Sequence, residues 1–122
     1  MVQFLPLEIM RGDTYAVPLV VRDEYGNVLN LTGASLKLTA KKALSDADAT
    51  AVFQLTTLPS GGIVITDAAT GLVTPTFQPA NTSGLSAGTW VLRWDLQVIK
   101  ADGSIFTAYY GPLTVVPDVT TT

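Results

Sequence analysis

"GTWVLRWDLQVIKADGSIFTAYYGPLTVV", residues 88–116, is the stretch on which the fold turns. Trp90, Leu92, Trp94, Leu96 and Val98 recur at every second position, with Val91, Arg93, Asp95 and Gln97 between them. A period of two sends alternate side chains to opposite faces of a strand, so the first set faces a core and the second faces away. Asp102-Gly103 reads as a two-residue hairpin turn, because Asp and Gly tolerate the positive φ of a type I′ turn. That turn pairs Val98 with Thr107, Leu96 with Tyr109, Trp94 with Gly111, Leu92 with Leu113 and Trp90 with Val115. Slipping the register by one residue would drive Arg93 and Asp95 into the core.

The rest of the chain repeats this grammar at lower contrast. Threonine occurs seventeen times, and Gly and Pro recur at the spacing of a sandwich or barrel. A first strand is expected over residues 2–10, at a sheet edge because Pro6 has no N–H to give. A second spans 14–22, with Tyr15, Val17, Leu19 and Val21 inward and Pro18 outward. Val28 to Leu31 follow, then Leu36, Leu38 and Ala40 inward against Lys37, Thr39 and Lys41. Further strands are expected at 51–57, 62–66 and 71–77. Residues 41–49 and 78–85 could each supply a helical turn or two between strands, without a sustained apolar stripe. The expectation is an all-β antiparallel sandwich of roughly seven to nine short strands, a single domain over 1–116 with a short tail at 117–122.

Composition removes several chemistries. The chain has 122 residues with no cysteine and no histidine, so a disulfide framework, thiol catalysis and a Ser–His–acid triad are excluded. Most acids sit in turns, where Asp shapes the backbone; Asp95, in a strand opposite Trp94, is the exception. "DEYGN" (23–27) lacks the pattern of a calcium loop, and Asp46 with Asp48 is a common spacing. No catalytic residue, metal or cofactor is expected. Net charge is −3 with only 14% charged residues, and Lys41-Lys42 is the sole adjacent basic pair, which argues against nucleic acid. No apolar run nears the ~18 residues of a membrane span, and "MVQFLPLEIM" has no basic n-region for secretion.

Arg11-Gly12-Asp13 invites an adhesion reading. Its local explanation is a bend, with Gly12 at positive φ, Asp13 bonding nearby backbone and Arg11 pairing with an acid such as Glu8.

The order "RGDTYAVPLVVRDEYGNVLNLTGASLKL", "GGIVITDAATGLVTPTF" and "LSAGTWVLRWDLQVIKADGSIFTAYYGPLTVVPDVT" resembles a family of small immunoglobulin-like sandwich proteins of tailed bacteriophages, including the N-terminal domain of the phage baseplate upper protein. The resemblance implies a structural role in the virion, after synthesis in the bacterial cytoplasm. The expected partners are other virion proteins (capsid, tail or baseplate subunits) and further copies of the chain, with no nucleic acid and no membrane. A head decoration or cement subunit, or a tail or baseplate adaptor, fits best; a host-surface module binding glycan through exposed aromatics is the alternative. Val2, Phe4, Leu5, Tyr25, Tyr110 and Val119 are the candidate interface residues, on the two reaching ends and the outward phase of the strands.

Overall fold

A computed structural model describes residues 2–86 and 88–118. It is an all-β sandwich of two sheets. The strands are β1 Gln3–Phe4, β2 Leu7–Met10, β3 Tyr15–Ala16, β4 Leu19–Val20, β5 Ser35–Lys41, β6 Phe53–Thr56, β7 Ile63–Asp67, β8 Leu72–Phe77, β9 Trp90–Ile99 and β10 Ile105–Val116. The larger sheet runs β1-β10-β9-β5-β6, with β2 beside β1 on the same edge of β10; in the smaller, β8 lies between β7 and the pair β3 and β4.

The β9–β10 hairpin follows the expected register from Leu96–Tyr109 to Trp90–Val115. Nearer the turn it departs by one residue, since Val98 faces Phe106 and not Thr107. The loop has three residues, not two: the Lys100 N–H donates to Ser104 O at 2.8 Å and the Gly103 N–H to Lys100 O at 2.9 Å. Gly103 has φ +89°, as in a type I turn closed by a left-handed glycine. An irregularity between Thr107 and Tyr109 then restores the expected pairing. Phe106 and Tyr109 are three apart, so strict alternation cannot turn both inward. The extra residue, Ala108, lets it happen.

Proline cuts two expected strands into four. Pro6 separates β1 from β2, which run along β10 in one register as the sheet's edge. These two pair with β10 in parallel, so the expected all-antiparallel pairing fails here. The cause is that the chain enters one sheet through residues 2–10 and crosses to the other at Arg11–Asp13. Between β3 and β4, the Val17 N–H donates to Pro75 O at 2.9 Å. Pro75 has no N–H to return, so this rung holds a single bond.

The core fills the space between the sheets. Leu36, Leu38, Leu92, Leu96, Val98 and Leu113 on the large sheet meet Val17, Leu19, Ile63, Val73 and Phe77 on the small one. Each fully buried Leu or Val contributes about 1.5–3 kcal/mol over an exposed one. Tyr109 joins the layers, its hydroxyl donating to Val20 O at 2.7 Å. Tyr15, expected inward, is 42% exposed, because it pairs with Phe77 at the end of its sheet and covers that ring from one side. Trp90 is only half-buried, its indole N–H donating to Ser86 O. Residues 28–31 form no strand, only a bridge from Val28 to Arg22, although Leu31 is buried. Residues 79–82 make one helical turn.

Gly111 holds the edge together. A Cβ there would lie 2.5 Å from Leu5 O, so the neighbour that needs the space is the Leu5 backbone and not, as pairing alone suggests, the Trp94 indole. Gly12 has φ +80° and open space around it. Gly111→Ala should therefore lower stability by about 2–3 kcal/mol through overpacking and shift Trp94 emission, whereas Gly12→Ala should cost about 1 kcal/mol of backbone strain with emission unchanged. Urea unfolding followed by fluorescence checks both.

Candidate functional site

The outward residues of five strands form one row across the large sheet. Gln54 of β6 lies beside Thr39 of β5, which faces Asp95 of β9, which faces Tyr110 of β10, which lies beside Phe4 of β1. Around this row the sheet is hollowed into an open groove of about 440 Å³. One wall is aromatic: the Phe4 and Tyr110 rings meet edge-to-face at 5.4 Å. Leu44 and Asp48, from the loop after β5, line it as well.

The charges of this sparsely charged chain gather here. Lys37, Lys41 and Arg93 line the groove together with Asp48 and Asp95. Lys41 Nζ is 2.8 Å from Asp48 Oδ1, and that bond holds the Asp48 carboxyl below the ordinary carboxylate range. Lys37 and Arg93 form no ion pair among the described residues. Asp95 is half-buried, and no hydrogen bond from a described residue reaches its carboxylate. Loss of water raises its pKa, Lys41 opposes the rise, and Asp48 adds to it. Thr39, buried despite its outward phase, accepts a bond from Gln54 Nε2 at 3.1 Å.

Of the residues expected at an interface, the structure brings Phe4 and Tyr110 together, with Val2 exposed next to Phe4's strand. Leu5 does something else. It is half-buried, its N–H donates to Tyr110 O at 2.9 Å and its carbonyl accepts from Trp94 Nε1 at 3.1 Å. Tyr25 is 80% exposed in the 23–27 turn and takes no part in the groove. Val119 lies outside the described residues. Lys37, Lys41 and Arg93 were legible as outward residues of their strands, but only the pairing of β5 with β9 joins them.

Asp46 and Asp48, the one spacing suggestive of a metal, are turned to separate tasks. Asp46 accepts from the Ala43 N–H while Asp48 holds Lys41. A second hollow near residues 57–65 is lined by no charged side chain.

Arg11-Gly12-Asp13 is a turn and not a displayed loop. The Asp13 N–H donates to Met10 O at 3.2 Å, with Gly12 at the positive φ that the third position of a type II turn needs. Arg11 Nε lies 2.7 Å from Asp118 Oδ1, and Nη1 donates to Leu85 O at 2.9 Å. The expected partner, Glu8, is on the exposed face of β2; Asp118 wins because β10 carries it back alongside Arg11. Asp13 bonds through its N–H, and the Gly12 N–H donates to the buried Thr82 hydroxyl at 2.9 Å.

No protein-family model matches this chain, and no curated protein matches it.

Two outcomes test these electrostatics. Because burial disfavours ionised Asp95, the folded state holds that proton more tightly than the unfolded chain. The penalty is in force above the folded pKa and fades as pH falls towards the ordinary 3.8. Asp95→Asn should thus be more stable than the parent at neutral pH, with the gain vanishing in acid, as read by urea titrations across pH. In a double-mutant cycle, Arg11→Ala with Asp118→Ala should show a coupling of about 1 kcal/mol that persists in high salt, since both partners are mostly shielded from solvent.

Proposed function

We propose that the chain is a structural subunit of a tailed-bacteriophage particle, an immunoglobulin-like sandwich serving as a head decoration or cement protein or as a tail or baseplate adaptor. The observation that carries this reading is the N-terminal edge. Val2, Phe4 and Met10 are 50%, 60% and 39% exposed along β1 and β2, and no described strand pairs on their far side. An open edge with apolar and aromatic side chains suits strand addition and the aromatic- and Met-rich centre of a protein interface. The resemblance of the ordered turn and strand motifs to those of phage sandwich proteins supplies the setting. A virion subunit of this kind acts by being held in place, in a symmetric array of copies or against a neighbouring capsid, tail or baseplate subunit.

Mass spectrometry of purified particles should find the chain in many copies, and electron microscopy should place the β1–β2 edge against a neighbour. The double substitution Val2→Asp with Met10→Asp should leave the melting temperature near that of the parent and reduce incorporation at least tenfold. Absence of the chain from particles, or full incorporation of the variant, overturns the reading.

A further inference from the structure

The groove on the large sheet carries a chemistry that a plain packing surface does not need. Its polar groups are of opposite kinds placed side by side. Asp95 can only accept hydrogen bonds, Arg93 and Lys37 can only donate, and Thr39 and Gln97 can do both. Asp95 has given up part of its water without gaining a donor from the described protein. A half-buried carboxylate in that state is stabilised by any ligand that brings O–H or N–H groups to it. Beside it stands an apolar wall, the exposed Phe4 and Tyr110 rings set edge-to-face, so that a ligand meets the flat face of one ring at a time.

Charge narrows the occupant. A cationic ligand suited to Asp95 would meet Lys37, Lys41 and Arg93, and an anionic one suited to those would meet Asp95 and Asp48. A neutral ligand rich in hydroxyls answers both sets, because each hydroxyl donates to a carboxylate and accepts from a cation. A sugar ring also has an apolar C–H face to lay on an aromatic ring. The hollow, about 440 Å³, is in the range of small-ligand sites and has room for a mono- or disaccharide.

We infer that this groove is a binding site for a neutral pyranose sugar, with Tyr110 and Phe4 as the aromatic wall, Asp95 as the hydroxyl acceptor and Arg93, two residues along the same strand, as the neighbouring donor. Thr39, seated on Gln54, completes the floor. The site is built on paired strands of a rigid sheet, so binding requires no rearrangement of the backbone. Tyr25, the most exposed tyrosine among the described residues, is excluded from it. The inference stands apart from the assembly reading and is tested on the isolated chain, so either can fail without the other.

The test is a titration of the isotope-labelled chain, followed by amide NMR, with glucose, galactose, N-acetylglucosamine, N-acetylgalactosamine and their disaccharides at millimolar concentration. A hexaglutamate peptide and sulfate form a parallel arm. At least one neutral sugar should shift the amides of Thr39, Asp95 and Tyr110 saturably and leave Tyr25 in place. Asp95→Asn and Tyr110→Ala should each weaken that binding about tenfold, the loss typical of one charge-assisted hydrogen bond or one stacked ring, and Tyr25→Ala should not. Asp95→Asn keeps the shape of the side chain, so its loss of binding with an intact spectrum is a statement about the site and not about folding. No saturable shift with any sugar overturns the inference. Shifts produced only by hexaglutamate or sulfate also overturn it and reassign the groove to an anionic partner, and equal binding by the Asp95→Asn variant removes Asp95 from the site.

Discussion

The Leu5 carbonyl is the point through which the edge of the large sheet and its outer face are joined. Pro112 has no N–H, so β10 cannot supply the rung that the Leu5 carbonyl would otherwise accept. At that break the Leu5 carbonyl turns to the Trp94 indole, 3.1 Å away, and occupies the space left by the missing side chain of Gly111. A buried indole N–H is thereby satisfied, which matters because an unpaired one would cost about 1–3 kcal/mol. On either side of the break the register is the same, which sets Phe4 beside Tyr110 on the outer face. One missing N–H, one missing Cβ and one indole thus meet at the joint between the packing beneath the sheet and the aromatic wall above it.

The outer face is equally a product of scarcity. With only seven Lys and Arg in the chain, finding three of them in one groove concentrates the field there and leaves much of the remaining surface to threonine and apolar groups. Cross-strand neighbours on one sheet face are close enough to interact, which is why Lys41 can serve Asp48 and still temper Asp95. Asp95 itself is an expense to the fold. Its burial is not repaid within the described residues, and a site that keeps such a group trades stability for recognition.

How much of this was legible follows the distance over which the determining contacts act. The alternation in β9 and β10, the interruptions at Pro6 and Pro18 and the positive φ of Gly12 are local, and each could be read from a few neighbouring residues. The hairpin's far pairs were legible because the core tolerates only one phase. Its near pairs were not, since a three-residue loop and the extra Ala108 offset one another and leave the distant register unchanged. The groove required the pairing of Thr39 with Asp95, a contact between strands that no turn links. Phe4 and Tyr110 were legible as exposed aromatics of separate segments, and only the parallel run of β1 along β10 brings them together. Arg11 and Asp118 lie 107 residues apart, so Glu8, an acid close in sequence, was the natural but mistaken choice.

The parallel course of β1 and β2 along β10 has a mechanical meaning. The first strands and the last share one direction, so a force drawing residue 3 away from residue 116 acts along the strands and not across them. Every backbone bond between them is then loaded together, with the Arg11–Asp118 bridge at the far end of the seam. A hairpin pulled from its open end gives way one rung after another. This seam can slide only by breaking all its rungs at once, which makes it a shear joint built into the side of the sandwich.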